Sequence, residues 1–575
     1  MTTSLVDAES VLAIDLGSVQ TRVSLFDVVE GQYHFIAKGS APSTVGAPFK
    51  DASESVHQAL DSLQEITGRV LVDSDAKIIL PTKANGTGVD RLVLTVSAGP
   101  EIRVAVTGLL PDVSVGSAQN LIRTTYGKIV EVIGLNDRRS AELKMDAILS
   151  ARPDLIILSG GTESGANRSV LRLAELILMV CRVLPQEKRP DLLYAGNSTL
   201  AKKIQAVMGK WTNVYIAPNI RPTIDVEDLG PAETVMNDVV SKIRSRQIGG
   251  LQSLAAISSL PPLPSSRAFG RVVRFLSKVY DPVKGVLGVD LGASNTTIAA
   301  AFAGNLSVNV LPLGMGMNIK AVLMEGGLSE LMQWLPLHLS ESVVRDYIWQ
   351  KSIHPDMVPY TGEALAIEQA AARRLLQMAV QKTRNNWPPR VLSFEPILAS
   401  GAVLTNVPST SQSLLMLLDG IQPIGVTTFI LDQNGLTSSL GAIGEINSIL
   451  PVQVLESKAF INLGTVISPI SQAKYGTPIL QVRLEYDDGN EAQFKIQQGT
   501  IVSLPLQPGQ TAHIHLNPLR RTEIGVFGKR SLNSFKIVGG VCGAVIDARG
   551  RPITLPADDS RRRELMKKWR MSLGN

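Results

Sequence analysis

Val11-Leu12-Ala13-Ile14-Asp15-Leu16-Gly17-Ser18-Val19-Gln20-Thr21-Arg22-Val23-Ser24-Leu25 has a distant echo in Val286-Leu287-Gly288-Val289-Asp290-Leu291-Gly292-Ala293-Ser294-Asn295-Thr296-Thr297-Ile298. Each copy runs from an apolar strand through an Asp-x-Gly turn and a small, hydroxyl-rich loop into a second apolar strand. That pattern predicts a β-hairpin in each place. Glycine lets backbone N–H groups approach an anion, and the loop hydroxyls add donors. An Asp at a strand end can hold a divalent cation, or orient water beside phosphate oxygens. One such turn is commonplace. Two in matching context predict a duplicated fold that grips one nucleotide from both sides.

Around the hairpins the chain is an ordinary globular one. Its 575 residues exceed what one core organises, so several domains are expected. A composition 44% hydrophobic and 19% charged excludes a disordered chain. Two cysteines, Cys181 and Cys542, make neither a disulfide framework nor a metal spacing, which suits a reducing cytoplasm. Of the histidines only His513 and His515 stand close, on one face of a strand. No carboxylate or thiol lies near them in sequence to complete a metal site. The N-terminus, Met1-Thr-Thr-Ser-Leu-Val-Asp-Ala-Glu9, is short and acidic and does not read as a signal peptide. Leu176–Arg182 falls far short of the about 20 apolar residues of a membrane span. A soluble, cytoplasmic protein with no membrane partner is expected.

The net charge of +5 is concentrated in Arg561-Arg562-Arg563, Lys567-Lys568 and Arg570, on an expected helix after Asp558-Asp559-Ser560. A solvated helix face is the first reading and an acidic protein partner the second. No basic-aromatic groove pattern accompanies the charges, so nucleic acid is not expected as a partner.

Between residues 90 and 225 the rhythm changes. Strand-like runs at Arg103–Leu109, Lys128–Ile133, Asp154–Ser159, Asp191–Gly196 and Asn213–Ala217 alternate with helical stretches near 115–126, 140–151, 167–184 and 198–209. Such alternation predicts a parallel sheet covered on both faces, with ligands at the carboxyl ends of its strands. Polar turns fall there at Gly108–Asp112, Ser159–Gly165 and Ala195–Ser198. The turn through Gly160–Asn167 reads equally as an anion cradle or a sharp strand-to-helix connection. The domain looks like a cobalamin-binding or flavodoxin-type sheet. It has no histidine between 58 and 337, so no direct cobalamin binding is expected.

Ile257–Ser266 is Pro/Ser-rich and reads as a link to the second hairpin. A helix N-capped by Thr361 carries an apolar stripe through Leu365, Ala372, Leu375, Met378 and Ala379. From about 451 onward, short alternating runs predict a β-rich barrel or sandwich. Gly539–Pro552 is distinctive and points to no chemistry of its own. The expected organisation is a first half over 1–90, an inserted doubly wound α/β domain over 91–245 and a linker over 246–284. A second half over 285–450, a β-rich domain over 451–556 and a basic helical tail over 557–575 follow.

The paired hairpins resemble the phosphate-1 and phosphate-2 loops of the actin, Hsp70 and sugar-kinase superfamily. That superfamily's adenosine-contacting turn would fall at Leu398-Ala399-Ser400-Gly401-Ala402-Val403-Leu404. Two departures stand out. Asn295 and Thr297 occupy positions where Thr and Asp are usual, and Ser400-Gly401-Ala402 replaces a Gly-Gly pair. Within the superfamily the order of segments resembles the MutL protein associated with glutamate mutase, which is unrelated to the mismatch-repair protein of that name. Matching stretches include Asp15–Arg22, Ser97–Gly99, Val104–Asp112, Pro153–Thr162, Ala195–Asn197, Asn219–Pro222 and Val289–Gly292. Leu313–Met315, Val344–Tyr347, Glu363–Gln369 and Ile430–Asp432 continue the set, with Gly441 downstream.

The resemblance implies an α/β fold: a duplicated actin-like (ribonuclease H-like) ATPase core with an inserted doubly wound domain and a β-rich C-terminal domain. It implies ATP and Mg²⁺, and work beside subunits of a coenzyme-B12-dependent mutase as a chaperone-like reactivation or assembly factor. Asp15 and Asp290 would flank the metal-bound phosphates. Gly17, Ser18, Thr21, Gly292, Ala293, Ser294, Asn295 and Thr296 would hold phosphate oxygens, and Ser400, Gly401 and Ala402 the adenosine. Arg22 would add charge where Lys is usual, or stand as a surface charge on the second strand. No catalytic residue is identified, slow ATP hydrolysis is left open, and a homo-oligomer is allowed. The alternative is a non-catalytic actin-like scaffold with a vestigial site. A sugar or small-acid kinase would need a cleft carboxylate that the sequence does not offer.

Overall fold

The computed structural model describes residues 9–163, 165–281, 283–387, 393–525 and 534–574. The amino-terminal segment 1–8 and Ser164, within the polar turn after Ser159, lie outside the described residues. The chain divides into two compact units. One holds Glu9–Phe26 with Ile36–Ala268, the other Asp27–Phe35 with the chain from Phe269 onward.

The first sheet begins with β1 (Val11–Leu16), β2 (Gln20–Val29), β3 (Gln32–Pro42) and β4 (Arg91–Val96). β1 is buried along its whole length, as its uninterrupted apolar run requires. β2 pairs with it antiparallel and β4 parallel. The polar-turn alternation from residue 102 builds a separate sheet of β5 (Ile102–Thr107), β6 (Gly127–Ile133), β7 (Leu155–Leu158), β8 (Asp191–Tyr194) and β9 (Val214–Ile216). All neighbours there are parallel, in the order β6-β5-β7-β8-β9. Helices Gly116–Arg123, Ala141–Ala151, Asn167–Val183 and Ala201–Met208 connect them, close to the stretches their sequence patterns predicted. Separate apolar clusters fill the two faces, one through Ile102, Val104 and Leu193, the other through Ala105, Ile156 and Tyr194.

The Pro/Ser-rich stretch read as part of a linker carries structure. Leu263-Pro264 forms the two-residue strand β10, parallel to β4, and the helix Ser265–Val279 follows directly. The first sheet therefore runs β10-β4-β1-β2-β3, and the α/β insert lies in sequence between its fourth and fifth strands.

The second half repeats this plan. β11 (Gly285–Leu291), β12 (Thr296–Phe302), β13 (Asn305–Leu311), β14 (Phe394–Ser400) and β15 (Gly425–Leu431) take the order β13-β12-β11-β14-β15. Again the first three strands are antiparallel neighbours and the next two are parallel. This repeat of strand order is the duplicated actin-like core. Its sheet then continues to eight strands through β16 (Ile461–Ser468), β22 (Ala544–Asp547) and β19 (Ile501–Leu504). The remaining strands, β17 (Pro478–Tyr486), β18 (Glu491–Gln497), β20 (Thr511–Pro518) and β21 (Ser534–Val538), form a four-stranded antiparallel sheet. The β-rich stretch from 451 thus feeds two sheets, because β16 is long and apolar enough to pair with β15.

The basic tail differs from a simple solvated face. In the helix Asp559–Met571, Arg562, Met566 and Trp569 are buried, and Met566 and Trp569 join the second unit's core. Of its other basic residues, Arg561, Lys567, Lys568 and Arg570 face solvent and Arg563 is half-buried. No helix among the described residues is long and apolar enough to cross a membrane.

Candidate functional site

In the first hairpin the antiparallel register sets Asp15 opposite Arg22 and Leu16 opposite Thr21. The turn closes when Gly17 N–H donates to the Gln20 carbonyl at 3.1 Å. A Cβ on Gly17 would stand 2.6 Å from that same oxygen, so a side chain does not fit there. Ser43 N–H, after β3, donates to the Val19 carbonyl at 2.9 Å and holds the loop from outside the hairpin. Asp15 is buried, and its carboxylate accepts from the Thr95 hydroxyl at 2.7 Å and the Ser265 hydroxyl at 3.0 Å. Arg22 lies 3.8 Å from its other oxygen. Arg22 is thus an ion-pair partner of Asp15. Thr21 is buried and gives its hydroxyl proton to Ser55 at 3.0 Å, while Ser18 is half-buried in the loop.

The second hairpin has the same register, with Asp290 opposite Thr297 and Leu291 opposite Thr296. Gly292 N–H donates to the Asn295 carbonyl at 3.0 Å, the same turn bond as in the first copy. The loop rests on Gly314-Met315-Gly316. Met315 N–H donates to the Gly292 carbonyl at 2.9 Å and Gly316 N–H to the Ala293 carbonyl at 2.7 Å. A Cβ at Gly314 would lie 2.4 Å from the Ala293 oxygen. The Asn318 amide donates to the Ser294 carbonyl at 2.6 Å, and the Thr296 hydroxyl to the Leu313 carbonyl. With the carbonyls engaged, the Ser294 hydroxyl is buried and has no partner among the described residues. Such a group suits an acceptor-rich ligand, since a buried hydroxyl left unpaired costs about 1–3 kcal/mol.

Ser400, at the end of β14, pairs with Asp290 in the parallel ladder. Gly401 has φ 127°, and a Cβ there would come within 2.3 Å of the Leu291 carbonyl oxygen. Of the expected Gly-Gly pair, the chain keeps the member whose side chain would strike β11. Ala402 opens the short helix Ala402–Thr405. The second unit thus gathers Asp290, the 292–296 loop and Ser400–Ala402 at the carboxyl ends of β11 and β14. The first unit gathers Asp15, Gly17, Ser18, Thr21 and Arg22 at the carboxyl end of β1. Sequence reading missed Thr95, Ser265 and Asn318, which carry no motif of their own. Leu313-Gly314-Met315 did carry a signal, as a stretch matched by resemblance.

No group of three or more His, Cys, Asp or Glu able to hold a metal occurs among the described residues. A Mg²⁺ here would take its oxygens chiefly from phosphate and water. His513 and His515 do share a face, with ring centroids 6.4 Å apart. The carboxylate missing from their sequence neighbourhood comes across the sheet, where Glu485 lies 3.3 Å from His515 Nε2.

At the carboxyl ends of the insert's strands, Glu163 organises the turns. The Asn219 amide donates to it at 2.7 Å and to the Gly161 carbonyl at 3.0 Å, and the Ser198 hydroxyl donates to its other oxygen. Partial burial pushes the Glu163 pKa up, but the bonds from Ser198 and Asn219 outweigh it and leave the carboxyl below its ordinary range. Asn197 donates to the Gly165 carbonyl at 2.8 Å. These bonds make the turn a built strand-to-helix connection.

The Gly539–Pro552 segment acquires a physical account. Asp547, fully buried at the end of β22, accepts from Arg549 at 2.8 and 2.9 Å and from Arg551 at 2.8 Å. Arg549 reaches on to Asp419 at 2.6 Å, and Arg373 holds the other Asp419 oxygen at 2.7 Å. The Arg549 guanidinium lies 4.8 Å from the centre of the Trp569 ring. Burial alone would raise the Asp547 pKa, and the paired Arg549 and Arg551 hold it far below the ordinary carboxylate range instead. A buried lattice of this kind is architectural.

A family model described as MutL protein matches residues 11–459. Protein MutL from Clostridium tetanomorphum is 19% identical over 396 residues, covering 65% of this chain and 78% of its own. Among solved structures, ethanolamine utilization protein EutJ from Carboxydothermus hydrogenoformans is similar at 8% identity and a TM-score of 0.29, over 76% of this chain and 90% of its own. A diol dehydratase-reactivating factor in nucleotide-free form is similar at 12% identity and a TM-score of 0.30, over 76% of this chain and 99% of its own.

Proposed function

The chain belongs to the MutL protein family, and from that premise we propose that it is an ATP-binding, chaperone-like factor that reactivates or assembles a coenzyme-B12-dependent mutase of the glutamate mutase type. The observation that carries nucleotide binding is the repeated hairpin. Both copies place an aspartate at the same register position, close the same Gly-to-carbonyl turn and are held from outside by the segment after their third strand. Repetition of backbone detail at low sequence similarity supports a shared task for the two loops.

In this reading Ser18, Ser294 and Asn295 offer backbone or side-chain donors to phosphate oxygens, with the unpaired Ser294 hydroxyl the best prepared, and Gly17 and Gly292 close the turns that present them. Asp290 and Asp15 orient water around Mg²⁺, which when bound neutralises phosphate charge. Ser400–Ala402 supply the floor for adenosine. The second hairpin adds the unpaired Ser294 hydroxyl, and in the first hairpin three donors engage Asp15. Nucleotide-dependent rearrangement would act on a client engaged by the inserted α/β domain, whose strand order is that of flavodoxin-type sheets.

The test is calorimetric titration of ATP with Mg²⁺ into the full chain, then phosphate release with and without a B12-dependent mutase. Micromolar ATP binding and mutase-stimulated release are expected. A folded protein that binds no ATP would hand the case to the scaffold reading, which the engagement of Asp15 and the Asn295 and Thr297 departures favour.

A further inference from the structure

Two stretches that match by resemblance, Val344–Tyr347 and Glu363–Gln369, take no part in either hairpin, and the structure joins them at one carboxylate. Glu368 is buried on the helix Gly362–Thr383. One of its oxygens accepts from the Tyr347 hydroxyl at 2.8 Å and lies 2.9 Å from Lys351 Nζ, both on the helix Glu341–Ile353. Lys351 is buried as well and also donates to the Met357 carbonyl. Set against apolar side chains of similar size, a buried ion pair contributes little net stability, whereas its hydrogen bonds fix direction.

What this pair holds is a turn beside the second hairpin, in the same unit. Met357 N–H donates to the His354 carbonyl at 3.1 Å and closes that turn. Pro355, inside it, meets the support of the 292–296 loop. A Cβ on Gly316 would stand 2.7 Å from Pro355 Cβ and 3.2 Å from Ala293 Cβ, so Gly316 packs between the two. The Gly316 N–H donates to the Ala293 carbonyl at 2.7 Å, next to the bond from Met315 N–H to the Gly292 carbonyl. A continuous run of contacts thus leads from Glu368 through Lys351, the 354–357 turn and Gly316 to Ala293.

We propose that Lys351 and Glu368 are positioning residues for the second phosphate loop, with Tyr347 steadying Glu368. The pair fixes the 354–357 turn, and the turn presses Gly316 and the 292–296 loop into the conformation that receives phosphate. They act through Pro355 and Gly316 rather than on a phosphate. The ligand rests on the nucleotide reading above; the link from pair to loop does not.

Lys351→Met with Glu368→Met, in the full chain, replaces the pair by apolar groups and removes the donor to Met357. Hydrogen exchange read by mass spectrometry without nucleotide should show residues 313–318 exchanging about tenfold faster, with 15–22 unchanged. Calorimetric titration should show ATP with Mg²⁺ bound about tenfold more weakly. Pro355→Gly, which removes the contact on Gly316 and leaves the pair, should reproduce both effects. Tyr347→Phe, which keeps the pair, should change either by no more than about twofold. Val466→Ala, a core truncation in the same unit, should lower the melting temperature without either effect, which separates positioning from stability. Circular dichroism melts establish that the variants are folded. Wild-type exchange at 313–318 in the folded double variant and in Pro355→Gly, unchanged ATP affinity beside faster exchange, or both effects in Val466→Ala would each overturn the proposal. A wild type that binds no ATP would end the nucleotide reading instead, and the exchange measurement would still decide whether the pair positions the loop.

Discussion

The two halves of the core build their hairpins on one backbone plan and surround them with different chemistry. In the first half Asp15 faces Arg22 and accepts from Thr95 and Ser265, so its carboxylate is held by its own unit. In the second half Asp290 faces the uncharged Thr297, and Ser294 keeps a buried hydroxyl without a partner among the described residues. The halves also differ in support. The first sheet ends at the two-residue β10, whereas the second runs on to β22, where Asp547 joins the buried arginine lattice. Register and turn closure are dictated by strand alternation and by glycine sterics, so they repeat. Charge and hydrogen-bond partners are not so dictated, and they have diverged.

The sharpest way to break this comparison is to strike the lattice. Asp547→Ala leaves Arg549 and Arg551 buried without their carboxylate and should cost about 3–5 kcal/mol. Differential scanning calorimetry should show a large drop in melting temperature, and a wild-type melt would remove the lattice as the second half's support. Next come the two aspartates. Asp290→Ala should weaken ATP with Mg²⁺ about 100-fold, near 2.7 kcal/mol. Asp15→Ala should weaken it only about tenfold and also lower the melting temperature, because Arg22, Thr95 and Ser265 lose their acceptor. Equal losses in both variants would erase the distinction between the halves.

A finer contrast lies in the turn glycines. A Cβ would meet the Gln20 carbonyl at 2.6 Å from position 17 but the Asn295 carbonyl at 3.0 Å from position 292. Gly17→Ala should therefore destabilise by roughly 1–3 kcal/mol and Gly292→Ala by about half as much. Urea denaturation of the two variants reads the difference, and reversal of the order would contradict the geometry.

The last contrast is in pH, and it runs in opposite directions in the two units. Burial pushes Glu233 up to about 7, against the pull of Arg267 and with the help of Asp228. Its folded pKa exceeds its unfolded one, so its contribution is full below the ordinary glutamate value and is lost as pH rises through about 7. Asp547 is lowered from 3.8, so its contribution is present above that value and lost as pH falls below it. Thermal melts from pH 5 to 8 should show wild type losing ground to Glu233→Gln as pH rises. Parallel profiles would exclude Glu233 as the source.

Much of this architecture is legible in local pattern. The run Arg103–Leu109 predicted a strand and Ile102–Thr107 is one; the helix expected over 140–151 is Ala141–Ala151. The basic tail was legible only in part. Its charges announce a solvent face, but Trp569 and Met566 point the other way, and their burial depends on the Arg549 guanidinium and the Gly499 carbonyl, to which Trp569 donates at 2.9 Å. Gly539–Pro552 carried no readable chemistry, because Arg549 finds its second carboxylate in Asp419, 130 residues away.

By itself, then, the sequence determined the paired hairpins, the alternating insert and the glycines at 17, 292 and 401. Strand periodicity, turn sterics and backbone reach act over a few residues and are written locally. Only the tertiary structure decided that Thr95 and Ser265, separated from Asp15 by 80 and 250 residues, would hold its carboxylate. It alone made Leu263-Pro264 the fifth strand of the first sheet, and bound Arg549 to Asp419. Those contacts follow from strand order and packing, which bring distant residues together without leaving any period in the chain to reveal it.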